Sequence, residues 1–168
     1  MIRFASIDAL YAHARGIVPV GGGPFLILLG GCSRTGKSTV AAELSRRFAV
    51  DGIPAETVPL DAWLVSLEER KPDSTVLERY ECDRIVEAVG RILRGEEVRT
   101  PIYDAATRRR VSEAGGRPIR IRSGVVLVEG IVALALEGLR KPAALAAYVA
   151  VPDDLRRERL TAFYRDVK

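Results

Sequence analysis

The stretch Gly30-Gly31-Cys32-Ser33-Arg34-Thr35-Gly36-Lys37-Ser38-Thr39 constrains this chain more than any other. An uninterrupted apolar run, Phe25-Leu26-Ile27-Leu28-Leu29, leads into it, and Val40, Leu44 and Phe48 follow at helical spacing. An all-apolar strand of that length suits the middle of a parallel sheet, buried on both faces. Gly31, Gly36, Lys37 and Ser38 fit G-x-x-x-x-G-K-[ST], a pattern that average residue usage would produce by chance in a chain of 168 residues about once in a few hundred cases. Chemistry explains the spacing. The glycines free the backbone, so that successive N–H groups can turn inward toward phosphate oxygens. Lys37 brings a positive charge for the β/γ-phosphates, the Ser38 hydroxyl suits a Mg²⁺ ligand, and a helix begun at Lys37 adds its N-terminal partial charge. Gly31, Cys32, Ser33, Arg34, Thr35, Gly36, Lys37, Ser38 and Thr39 are therefore the candidate nucleotide-binding loop. The competing reading is an ordinary glycine-rich strand-to-helix turn. The flanking strand and helix argue against it.

Taken in order, the remaining residues supply an α/β frame. Residues 1–15 place Phe4, Ile7, Leu10, Tyr11 and Ala14 at helical spacing, with Gly16 ending the run, and residues 18–24 read as a loop. His13, the only histidine, has no carboxylate or cysteine beside it and reads as surface or packing. After the loop helix, Asp51-Gly52-Ile53-Pro54 is a stop, and a strand over 56–60 completes a βαβ unit. Asp61 follows at the carboxyl edge, where doubly wound sheets bind ligands. A carboxylate there suits a general base or a metal partner, and equally an N-cap for a helix over 62–67. Cys82, Ile85, Val86, Val89, Ile92 and Leu93 form a helical stripe ended by Gly95. Segments 98–103 and 118–122 read as short strands around a basic turn, an excursion from the main sheet at about 98–122, because Pro101 and Pro118 disfavour central strands. Val125-Val126-Leu127-Val128 is a third core strand ending in Glu129-Gly130, an acid placed to approach Mg²⁺ or its waters. A short helix with Ile131, Leu134 and Leu139, a strand over 146–151 and a helix from Pro152 close the chain. That last helix carries Leu155, Leu160 and Phe163 on one side and Arg156, Arg157, Arg159 and Arg165 among the rest. The expected architecture is one three-layer αβα domain over 1–168 with a parallel core sheet.

Composition narrows the class. Hydrophobic residues make up 48% and charged residues 29%, a globular balance, and no apolar run is long enough to span a bilayer. The N-terminus lacks a basic flank and apolar core, so no signal peptide is expected. Two cysteines, one of them inside the phosphate loop, do not make a disulfide framework, and a reducing cytosol is the expected compartment. The formal charge of +4 is concentrated: seven arginines between Arg99 and Arg122 face only Asp104 and Glu113. A local basic segment beside a phosphate loop fits a small anionic ligand as well as a polynucleotide.

These residues resemble the uridine-kinase-like P-loop small-molecule kinases, the group that also holds phosphoribulokinase, pantothenate kinase and nicotinamide riboside kinase. The resemblance covers most of 25–168. It rests on the phosphate loop, Leu60-Asp61, Pro101-Ile102-Tyr103-Asp104, Val128-Glu129-Gly130-Ile131, Val151-Pro152-Asp153-Asp154-Leu155-Arg156 and Arg165-Asp166. It implies an ATP- and Mg²⁺-dependent transfer of a phosphoryl group to a hydroxyl of a small molecule. Asp61 is then the base, with Lys37 on the phosphates. Ser38, Glu129 and Asp61 surround Mg²⁺, and Trp63, Tyr103 and Arg108 join Asp61 in the acceptor pocket. Arg156, Arg159 and Arg165 belong to a lid, within or just after which the chain ends at Lys168. The departures bear on the acceptor. Ala62-Trp63-Leu64 stands where uridine kinases carry an aromatic pair, Thr75-Val76-Leu77-Glu78-Arg79-Tyr80 lacks their acidic-His-Pro stretch, and Arg108 replaces their histidine. The expected acceptor is therefore a hydroxyl compound carrying a phosphate or carboxylate. The alternatives are a nucleoside kinase proper, a nucleotide-binding regulator without an acceptor, and a P-loop protein acting on RNA. Nucleic acid and membrane are not expected partners.

Overall fold

The computed structural model describes residues 4–19 and 22–166. Residues 1–3 of the expected first helix, Val20 and Gly21 of the loop after it, and Val167 and Lys168 at the end lie outside the described residues. Helix α1 (Ile7–Ile17) starts where the Ser6 hydroxyl accepts from Ala9 N–H at 3.2 Å and runs one residue past Gly16. Strand β1 (Pro24–Gly30), helix α2 (Lys37–Val50) and strand β2 (Ala55–Pro59) form the expected βαβ unit. No helix follows β2. 3₁₀ turns at Leu60–Trp63, Leu67–Glu69 and Leu77–Arg79 carry the chain to helix α3 (Cys82–Leu93).

The excursion is two antiparallel ladders rather than one. Strand β3 (Val98–Arg99) pairs with β6 (Pro118–Ile119), and β4 (Ile102–Asp104) with β5 (Arg109–Ser112). Pro101 separates β3 from β4, because proline has no N–H to give a ladder. Strand β7 (Gly124–Glu129) returns to the main sheet. Only a short helix, α4 (Glu137–Arg140), forms in the next segment, followed by β8 (Leu145–Tyr148) and α5 (Asp153–Asp166).

The main sheet is parallel throughout, in the order β2-β7-β1-β8. Strand pleating sends successive residues to opposite faces. Leu26, Leu28, Val126 and Val128 pack under α3 with Val58, Leu60, Ile85, Val89 and Ile92. Ile27, Leu29, Val125 and Leu127 pack against α1 and α2 with Leu10, Ala14, Ala41, Leu44 and Phe48. Both faces of the sheet are thus covered, which is why β1 and β7 read as continuous apolar runs. Register decides what stands at the carboxyl edge: Glu129 lies opposite Leu29 on one side and Pro59 on the other. The phosphate loop and Asp61 therefore leave the sheet on either side of Glu129.

Candidate functional site

The loop between β1 and α2 takes conformations that its glycines permit. Gly36 is left-handed, at φ 92° and ψ 20°, and serves as the N-cap of α2 without a side-chain cap. Gly31 sits at φ 148°, where an added Cβ would strike the Val149 carbonyl. The first turn of α2 holds no acidic residue, so its N–H groups and partial positive charge are unclaimed by this chain's side chains. Lys37 is 8% exposed, and its ammonium donates to the Cys32 carbonyl at 2.9 Å. The Thr35 hydroxyl donates to the same carbonyl at 3.0 Å. These two bonds curl the loop back on itself.

Ser38 Oγ donates to Glu129 Oε1 at 2.9 Å. Glu129 is 8% exposed. Burial raises its carboxyl above the usual range. The Asp61 charge adds to this rise, while the Ser38 bond and the Lys37 charge oppose it. Oxygen donors and crowded negative charge suit a hard divalent cation. Among the described residues no group of three or more His, Cys, Asp or Glu forms a metal cage. Mg²⁺ keeps waters and phosphate oxygens and takes few protein ligands, and the Ser38 hydroxyl and Glu129 carboxylate are the groups that would hold it.

Asp61 is exposed, within the 3₁₀ turn, and caps no helix; the expectation of a cap for 62–67 fails because that helix does not form. Its Oδ1 instead accepts from the Tyr80 hydroxyl at 2.9 Å. Asp61 and Glu129 both line a cleft of about 770 Å³ together with the phosphate loop, Ile131, Val151 and three residues of α5, Arg159, Ala162 and Phe163.

Helix α5 lies over the loop. The Arg34 guanidinium stacks 3.4 Å from the centre of the Phe163 ring, and Arg159 donates to the Arg34 carbonyl at 3.4 Å. Arg34 holds a left-handed φ of 65°, a conformation that a non-glycine residue keeps only when its surroundings impose it. Arg156 bonds its own helix at Asp153 (3.4 Å), and Arg165 is exposed on it; neither lines the cleft.

The three other expected acceptor residues stand in different surroundings. Trp63 is 2% exposed and sits in the core under the sheet, away from the cleft. Arg108 is exposed at φ 58° in the turn between β4 and β5, and what it contributes is its carbonyl, which accepts from Leu67 N–H at 2.9 Å. Tyr103 is half-buried, with its hydroxyl accepting from Arg70 at 2.8 Å. Tyr80, Arg70 and Phe163 escaped sequence reasoning as site residues. Each comes from a different segment and carries no motif of its own.

No protein-family model matches the chain. It is 29% identical over 139 residues to a uridine kinase of Leuconostoc citreum, covering 79% of this chain, and 29% identical over 150 residues to a uridine kinase of Clostridium novyi, covering 86%. The chain spans 65% of the Leuconostoc protein's length and 69% of the Clostridium protein's. Among solved structures, a Silicibacter sp. TM1040 protein provisionally described as a fructose transport system kinase superposes with a TM-score of 0.82 at 21% identity, over 97% of this chain and 83% of that one. A Bacillus stearothermophilus protein provisionally described as a uridine kinase superposes with a TM-score of 0.73 at 17% identity, over 95% and 90%. The chain is thus similar in sequence to uridine kinases, and its fold is that of these two solved structures.

Proposed function

We propose that the protein is an ATP- and Mg²⁺-dependent phosphotransferase that moves the γ-phosphoryl group to a hydroxyl of a small molecule. One observation carries the reading. The Ser38–Glu129 bond of 2.9 Å and the exposed Asp61 share the carboxyl edge of one parallel sheet, beside a helix N-terminus bare of acids. Loop N–H groups and Lys37 bind the phosphates of ATP. Mg²⁺, held through Ser38 and Glu129, neutralises phosphate charge when bound. Asp61 orients the acceptor hydroxyl. As the acceptor oxygen bonds to the γ-phosphorus, the bond to the β–γ bridging oxygen breaks, its electron pair leaves with ADP, and the hydroxyl proton passes to Asp61. Arg159 approaches from α5, where a cation stabilises charge on the transferring group.

The described residues act as the core of one kinase domain under this reading. No described helix is long and apolar enough to cross a membrane, and the free thiols Cys32 and Cys82 suit a reducing, cytoplasmic setting. The test is a coupled ADP-release screen over hydroxyl compounds, repeated with Asp61→Asn. Acceptor-dependent turnover should fall by roughly 10²–10⁴ in the variant, the usual range for a general base, while ATP still binds. Turnover near the wild-type rate would reduce Asp61 to a structural residue.

A further inference from the structure

Four arginines around the excursion are spoken for. Arg84 pairs with Glu81 at 2.9 Å and Glu113 at 2.7 Å, Arg109 with Glu68 at 3.2 Å, and Arg117 with Glu56 at 2.7 Å. Arg110, its side chain 10% exposed, meets Glu81 at 2.7 Å and Glu113 at 3.5 Å. Arg70 differs. Like the exposed Arg79, Arg99, Arg108, Arg120 and Arg122, it has no carboxylate within ion-pair distance among the described residues, but unlike them it is half-buried. Neutral groups hold it in place: Nε donates to the Val65 carbonyl at 2.8 Å, one terminal nitrogen donates to the Tyr103 hydroxyl at 2.8 Å, and the charge stands 5.8 Å from the centre of the Tyr103 ring. Two of its five N–H groups are thereby used, and the fork is fixed in orientation.

Its position matters as much as its charge. Strand β4, which carries Tyr103, packs on the 3₁₀ turn that carries Asp61. Tyr80, bonded to Asp61, feels the positive charge of Arg70, which offsets part of the rise that burial imposes on the phenol. Tyr80 thus bonds Asp61, Arg70 bonds Tyr103, and the strand carrying Tyr103 packs on the turn carrying Asp61, outside the lining of the nucleotide cleft. A held, half-buried cation without a counter-ion beside that turn suits an anion.

We infer that Arg70, oriented by Tyr103, selects the acceptor by binding a carboxylate or phosphate on the same molecule whose hydroxyl meets Asp61. This rests on the phosphotransferase reading above. It transfers to Arg70 the anion-recognition role that the sequence assigned to Arg108, whose side chain projects from an exposed turn.

The experiment pairs an anionic acceptor with its neutral analogue: glycerate with glycerol, pantothenate with pantothenol, and ribose 5-phosphate with ribose, each with ATP and Mg²⁺ and with the phosphorylated position identified. Carboxylate and phosphate arms separate the two anion classes. The anionic member of at least one pair should exceed its neutral partner in kcat/KM by roughly 10²-fold, the scale of a charge-assisted bidentate contact. Arg70→Gln should collapse that ratio, raising KM for the anion far more than for its neutral partner, with KM for ATP unchanged. Arg70→Lys should restore part of it, and Tyr103→Phe, which removes only the hydroxyl, should weaken it several-fold. A merely structural arginine would depress both members of a pair together. Equal use of charged and neutral members, or a ratio indifferent to Arg70→Gln, would overturn the subsite and leave the kinase standing. Absence of acceptor-dependent ADP from every compound would overturn the kinase reading and this subsite with it.

Discussion

The Tyr80 hydroxyl donates to Asp61 Oδ1 at 2.9 Å, across nineteen residues of chain. Tyr80 is 7% exposed, in the core under the sheet, and burial followed by the Asp61 charge pushes its phenol well above the ordinary value. It therefore stays protonated and donates at any working pH. One oxygen of Asp61 is fixed, and Oδ2 has no partner among the described residues. Tyr80→Phe should lower kcat by roughly 10- to 100-fold, the worth of a hydrogen bond to a charged group, with ATP affinity unchanged. Steady-state kinetics beside nucleotide calorimetry checks this; an unchanged kcat would mean that Asp61 needs no such hold.

Lys37 has its ammonium on the Cys32 carbonyl at 2.9 Å and is almost fully buried. Lys37→Met should weaken ATP binding by roughly 10- to 100-fold, because a charge-assisted contact to phosphate is lost from a loop shaped by its glycines. The ligand-free fold should survive, since a buried ammonium without a carboxylate partner is itself costly. Calorimetric titration of ATP and a thermal melt without nucleotide separate the two effects.

Glu129 titrates above the ordinary glutamate value of 4.5, chiefly through burial. Because its folded-state value is raised, the ligand-free protein loses stability as pH climbs through that titration, where the unfolded chain is already ionised and the folded one is not. Protons and Mg²⁺ also compete for this carboxylate. The Mg²⁺ concentration for half-maximal activity should rise as pH falls in the wild type. Glu129→Gln should need more Mg²⁺ at every pH, with a flatter dependence, and its melting temperature without metal should no longer fall across that interval. Parallel Mg²⁺ titrations and melts over pH measure both.

Arg34 lies over Phe163 at 3.4 Å, the main stacking contact between the phosphate loop and α5. Phe163→Ala should raise the ATP dissociation constant by roughly 3- to 10-fold, the worth of a cation–π contact of about 1 kcal/mol. It should also make α5 more open to limited proteolysis. Unchanged cleavage, with or without ATP, would show that other contacts seat the helix.

Local order alone determined the parts of this protein that depend on neighbours in sequence. The phosphate loop, its strand and its helix were legible because phosphate binding needs glycines, a lysine and a hydroxyl at fixed spacing within ten residues. The apolar runs of β1 and β7 and the stripe of α3 were legible because period and burial are written into consecutive residues. Asp61 and Glu129 could be singled out because each directly follows a core strand. Tertiary structure decided the rest. Nothing near Trp63 in the chain says that its ring turns into the core, because that depends on what α3 brings beneath the sheet. The helix expected over 62–67 gave way to a 3₁₀ turn whose following segment bridges Leu64 to Tyr80, so Asp61 took a tyrosine as its partner in place of a helix end. Arg108 and Arg70 differ by a fold, not by a motif. One projects from the exposed turn of a hairpin and the other is pinned beneath Tyr103, and only the packing of β4 on the strand end makes that distinction. Residues far apart in sequence meet through burial and register, quantities that belong to the assembled sheet and to no segment of it alone.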